Sequence, residues 1–187
     1  MKSLEHHLLI AMPSLKDPYF TRSVTYLCEH SDEGAMGLII NRPVDVTLDD
    51  LLRQMSVKES DFVLPPGVAN QVLMGGPIKP DRGFVLHSAM EGLSSSHPLP
   101  EGLMLTTSKD VLATLGSDRA PRHALVALGY AGWDAGQLEQ ELAENAWLTI
   151  PADPDLLFNV PHDQRWELAT RRLGVDVWQI SSDVGHS

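Results

Sequence analysis

The chain has 187 residues, 43% of them hydrophobic, and its 14 lysines and arginines face 25 aspartates and glutamates for a formal net charge of −11. This is a globular composition, neither disordered nor membrane-like. The length suits one domain, 1–187, burying roughly 70% of its unfolded surface. An acidic chain whose basic residues are scattered offers no stripe for a phosphate backbone, so direct nucleic-acid binding is not expected.

From the N-terminus, Glu5 and the short apolar stretch "LLIAM" read as too acidic and too brief for a secretory signal. Adjacent His6 and His7 would point to opposite faces of a strand and could not chelate together. Next, "SVTYLCEH" and "AMGLIIN" are strand-like runs joined by "SDEG", a turn in which Gly34 can take a positive φ. A helix follows: Thr47 is an N-cap with Asp50 three residues on, and Leu48, Leu51, Leu52 and Met55 repeat on one face. "QVLM" and "GFVLH" read as a second hairpin about the long turn "GGPIKPDRG". Ser88 to Gly102 is rich in serine, proline and glycine, and is expected to be an irregular surface loop or a lid. The strand "LMLTT" leads into a helix capped by Thr107 with Asp110. "HALVALGYAG" is the most apolar strand; its apolar run, Ala124 to Trp133, is about half the length of a membrane span. Asp134 and Gln137 suit a capping box for a helix running on through "AENAWL", with Leu138 and Leu142 inward. The last helix is expected over Pro161 to Leu173, stopping at Gly174.

Chemistry-bearing patterns are sparse. The eight histidines form no zinc-type spacing, so no metal or other cofactor is expected. Cys28 is the only cysteine, which excludes an intramolecular disulfide and fits a cytoplasmic setting. A hydrolase or thiol-dependent enzyme would need Cys28 activated by a nearby histidine such as His30 or His87. Glu29 opposes that activation, and Cys28 lies in phase with Val24 and Tyr26, as a small buried hydrophobe would. "GYAGWDAG" follows an apolar strand and opens a helix, but its spacing is not that of a phosphate loop, and Asp134 would repel an anion there.

The stretches "IAMPSLKDPYFTRSVTYLCEHSDEGAMGLIINRP", "MGGPIKPDRGFVLHS", "LTTSKDVL" and "ALGYAGWDAGQLEQELAENAWL", with the ending "PADPDLLF…RW…RLGVD", resemble the YqgE/AlgH family of bacterial proteins over nearly the whole chain. The resemblance implies an α/β (α+β) sandwich: a mixed, largely antiparallel sheet with a small barrel-like part, flanked by helices. The family has no established enzymatic activity, and its named member is linked genetically to regulation of exopolysaccharide and virulence-factor production. The resemblance implies a regulatory role without a mechanism; the chain is expected to be a non-enzymatic binding or regulatory protein, monomeric or weakly homo-oligomeric, acting on an unknown protein or small-molecule partner. Its motifs place Asn41, Arg42, Pro43, Gly75, Gly76, Pro77, Asp81, Arg82, His87, Thr107, Gly129, Tyr130, Gly132 and Trp133 at strand ends and turns. Several of these are expected to converge on a shallow cleft with an apolar floor and polar rim; the alternative is that Asp81 and Arg82 only fasten their own turn.

Overall fold

A computed structural model describes residues 3–15, 17–56, 63–107 and 109–174. Its centre is a curled, half-barrel sheet of ten strands: β1 (His7–Ala11), β2 (Val24–Ser31), β3 (Gly34–Ile39), β4 (Pro43–Thr47), β5 (Val68–Met74), β6 (Ile78–Ser88), β7 (Ser96–Leu99), β8 (Leu103–Thr106), β9 (Ala124–Asp134) and β10 (Trp147–Pro151). Five helices pack around it: α1 (Leu48–Gln54), α2 (Lys109–Leu115), α3 (Gln137–Ala143), α4 (Pro154–Phe158) and α5 (Arg165–Arg172). The main strand order is β10-β1-β2-β3-β9-β6-β8-β7, with β5 joining β9 in the one parallel pairing and β4 outside β5. This is the α+β architecture, with a largely antiparallel sheet, that the family resemblance implies.

Alternation along the strands divides the core in three. Leu8, Ile10, Tyr26, Cys28, Phe84 and Leu86 face one cluster, against α4 and α5. The intervening Leu9, Ala11 and Leu27 face a second, under α3 with Trp133 and Trp147. Val85, Ala124 and Val126 face a third, under α1 and α2. The two-residue period thus sorts each strand's side chains between opposite sides of the sheet.

β9 organises the sheet. Its first half, Ala124 to Leu128, lies between β5 and β6; its second half, Ala131 to Asp134, pairs with β3. Gly129, at φ 77°, makes the break between them. Gly75 and Gly76 carry the chain from β5 across β9 to β6. A Cβ on Gly76 would lie 2.1 Å from the Tyr130 carbonyl carbon, and one on Gly129 would lie 2.4 Å from the Gly76 oxygen. Only glycine allows backbones to cross this closely.

This crossing corrects the second hairpin expected from sequence: β5 and β6 are not partners, because β9 runs between them. The helix expected through "AENAWL" ends at Ala143, and Asn145, at φ 60°, turns the chain into β10. Asp134 is the last residue of β9, and the N-cap is Gly136; Gln137 still reaches back to accept from the Asp134 N–H at 3.0 Å. Within the Ser88–Gly102 loop, β7 pairs with β8 and a 3₁₀ turn covers Pro100–Gly102. Asp110 accepts from Ser94 rather than serving a capping box with Thr107. The last helix divides into a 3₁₀ turn, His162–Gln164, and α5. The hairpin of β2 and β3, with Gly34 at φ 136°, follows the sequence reading. So does the Thr47 cap, which accepts from the Asp50 N–H at 3.1 Å.

Candidate functional site

Two concavities take up polar residues named from the sequence. The first is a groove of about 300 Å³ where α1 and α2 approach β6 and β9. Leu51, Met55, Val85, Leu112, Val126 and Leu128 form its floor; Asp81, Arg82, Thr107 and Lys109 stand at its rim. Leu48 and Leu52 occupy the fully buried face of α1, which leaves Leu51 and Met55 half-exposed toward the groove. Arg82 borders the groove, while its guanidinium lies 5.7 Å from the ring centroid of Phe84, which faces the opposite side of β6 from Val85 and the floor. Among the described residues neither Arg82 nor Lys109 forms an ion pair.

The second concavity, about 390 Å³ and more open, lies between the β2–β3 ends and α5. Thr21, Arg22, Asn41 and Arg42 form one wall; His162, Asp163, Trp166 and Glu167 form the other. Asn41 is a clamp: its Oδ1 accepts from the Val24 N–H at 3.0 Å and its Nδ2 donates to the Arg22 carbonyl at 2.9 Å. Arg42 donates from one terminal nitrogen to the Thr21 carbonyl.

The sequence-named residues therefore do not meet in one cleft. Asp81, Arg82 and Thr107 belong to the groove, Asn41 and Arg42 to the second cleft, and Pro43 is the exposed first residue of β4. Gly75, Gly76 and Gly129 build the crossing, and Pro77 follows it on the surface. Tyr130 packs edge-on against Phe84, and Gly132 leaves room for Ile78, whose Cδ1 would lie 2.9 Å from an added Cβ. Trp133 is buried beside Trp147, and the Glu141 Oε1 accepts from both indoles, at 3.1 and 2.8 Å.

His87 is also interior. Its Nδ1 donates to the Ser88 carbonyl at 2.8 Å, so Nε2 accepts from the Thr106 hydroxyl at 2.7 Å. Desolvation lowers its pKa, against a smaller opposing effect of that carbonyl. The residues that sequence reasoning missed are Leu51, Met55, Lys109 and Leu112 in the groove, and Arg22 and Trp166 in the cleft. The sequence set Leu51 and Met55 on one helix face with Leu48 and Leu52, so nothing in it marked them as groove residues.

Comparison with known proteins follows this geometry. A family model described as AlgH-like matches residues 8–178. The chain belongs to the AlgH-like family. A UPF0301 protein of Shewanella loihica is 56% identical over 187 residues, and one of Shewanella sp. strain ANA-3 is 55% identical, each match covering all of both chains. The solution structure of the AlgH protein from Pseudomonas aeruginosa superposes with a TM-score of 0.76 at 45% identity, covering 96% of this chain and 94% of that one. A crystal structure of a Corynebacterium diphtheriae protein shares the fold at 21% identity, with a TM-score of 0.75 and coverage of 97% and 92%.

In this AlgH-like protein Cys28 and His30 of the "CEH" run hold interior positions, and Glu29 is exposed. Cys28 is fully buried; burial first, then the charges of Glu29 and Glu5, pushes its thiol far above the ordinary range, and the thiol donates to the Tyr26 carbonyl at 3.9 Å. A thiol held protonated and sealed from solvent is no nucleophile. His30 accepts the Leu4 N–H on Nδ1 at 2.9 Å, which puts its proton on Nε2, 2.5 Å from Glu139 Oε1. That hydrogen bond holds the Glu139 carboxyl below its usual range. Among the described residues no group of three or more metal-ligating side chains is placed to hold an ion. No helix there is long and apolar enough to cross a membrane.

Proposed function

We propose that the protein is a non-enzymatic binding protein that engages a protein or small-molecule partner through the groove between α1 and α2. The observation that carries this reading is an open apolar floor bordered by Arg82 and Lys109, neither of which forms an ion pair with a carboxylate among the described residues. A few fixed polar groups over an apolar surface is the usual composition of a recognition site, and about 300 Å³ is within the range for small ligands. The proposed role is indirect regulation in the cytoplasm, without contact to DNA. The charge of −11 supports the second part, and the lone buried thiol is compatible with a reducing compartment.

Affinity capture from a bacterial extract, paired with a fragment titration followed by amide NMR, tests this reading. Captured partner or fragment shifts should be lost on Arg82→Ala and on Leu51→Lys, which charges the floor. Binding that survives both substitutions in folded protein would rule out the groove.

A further inference from the structure

The cleft beside α5 carries arginines on one wall that form no ion pair with the carboxylates, Asp163 and Glu167, on the other. Arg22 and Arg42 line it. Arg165 lies behind it, buried, donating from Nε to the Val160 carbonyl at 3.0 Å and from a terminal nitrogen to the Ile40 carbonyl, next in sequence to Asn41 and Arg42. Among the described residues none of these three guanidiniums pairs with a carboxylate, whereas Arg53, Arg171 and Arg172 all do. Two carbonyl oxygens accept from Arg165 without neutralising its charge.

Two further features belong to residues of the same cleft. The Nε–H of Arg42 is shielded from solvent and has no acceptor. A buried donor left unmatched is costly, and the cost is removed when an acceptor arrives. Arg22 is held in the left-handed region at φ 53°, with its guanidinium 5.2 Å from the Trp166 ring centroid and its carbonyl pinned by Asn41. Strain of this kind persists where neighbouring contacts over-determine the backbone. Here they fix the two arginines on one wall.

We propose that this cleft binds an oxyanion, the phosphate or carboxylate end of a small ligand, with Arg42 and Arg22 as its donors and Arg165 supplying field from behind. Asp163 and Glu167 on the opposite wall would repel a ligand that is anionic throughout. They direct the oxyanion toward the arginines and favour a neutral or cationic remainder. The site is separate from the α1–α2 groove and stands whether or not that groove binds a partner.

The full chain is titrated separately with inorganic phosphate and with acetate at constant ionic strength, while the arginine Nε–H resonances are followed by NMR. Saturable shifts at Arg42 and Arg22 are expected. Arg42→Gln should weaken the response by at least about tenfold, since a charge-assisted pair is lost. Arg42→Lys should fall between the two, keeping charge without the planar fork. Arg22→Gln gives an independent reading should the Arg42 variants fail to fold. A stronger response to phosphate assigns a phosphoryl ligand, and a stronger response to acetate a carboxylate; either supports the site. No saturable shift with either anion, or shifts unchanged in the folded glutamine variants, would overturn it.

Discussion

Replacing Gly76 with alanine puts a methyl group where β9 already stands. The added Cβ would lie 2.1 Å from the Tyr130 carbonyl carbon, 2.2 Å from its oxygen and 2.3 Å from the Ala131 nitrogen. All three are backbone atoms in a strand paired on both sides, so no side chain can swing away. Relief requires β9 and the crossing to separate by about 1 Å, in a core packed too densely to absorb it. The neighbouring Gly75 N–H to Leu128 and Ile39 N–H to Gly75 hydrogen bonds, both 2.8 Å, would be stretched together. Overpacking at about 1–3 kcal/mol plus two compromised hydrogen bonds at about 1 kcal/mol each gives a loss near 4 kcal/mol. That is a large part of a total of about 5–15 kcal/mol. For a chain of this size the melting temperature should fall by about 8–16 °C. Gly83→Ala is the matched control: nothing lies within 4 Å of its added Cβ, and its φ is not in the left-handed region. It should be neutral or stabilising by up to about 1 kcal/mol. Calorimetry on both variants decides the matter. A Gly76→Ala protein within about 1 kcal/mol of wild type would refute the steric account of the crossing.

Three other substitutions or conditions probe the interior. Glu141→Ala orphans both indole N–H groups and should cost about 2–4 kcal/mol with altered tryptophan emission, whereas Glu141→Gln keeps an acceptor and should lose less than half of that. Cys28 should resist thiol reagents in native protein and react only on unfolding. Its raised pKa also means that stability is intact below the ordinary thiol value of 9.0 and falls by up to about 1.4 kcal/mol per pH unit above it, as the unfolded chain ionises first; denaturant titrations across that range check the sign. His87 works in the opposite direction. Its pKa is lowered, so its contribution is present above the unfolded value of 6.5 and is lost on acidification, and NMR should show a neutral ring protonated on Nδ1 at neutral pH.

Local features were legible in the sequence, and long-range ones were not. The β2–β3 hairpin and the Thr47 cap depend on residues close together in the chain, and both could be read from it. The β5–β6 arrangement depends on β9, some fifty residues downstream, and "GGPIKPDRG" carries every mark of a hairpin turn although its glycines serve a crossing. The helix after β9 was overextended because "AENAWL" favours helix locally. Pairing of Trp147 with Ala11 in β1 overrides that preference. At the candidate sites Asp81, Arg82 and Arg42 were visible as polar residues at turns. Arg22 and Trp166 were not, because 144 residues separate them and only the fold stacks one on the other.

The motifs by which the family resemblance is read are mostly the ones that build the junction of the sheet. Gly75, Gly76 and Gly129 permit the crossing, Asn41 ties β2 to the chain leaving β3, and Trp133 is held through Glu141. Each has a sufficient structural reason, so sharing them with a relative transfers the fold and says little about a ligand. Arg165 and Arg42 differ in kind. A fold gains little from a buried guanidinium faced only by carbonyls, and apolar side chains of similar volume often do as well or better. Arg42 adds an unmatched buried donor to the same wall. The proposed oxyanion site would account for both, since Arg42 lines that cleft and Arg165 holds the Ile40 carbonyl two residues before it.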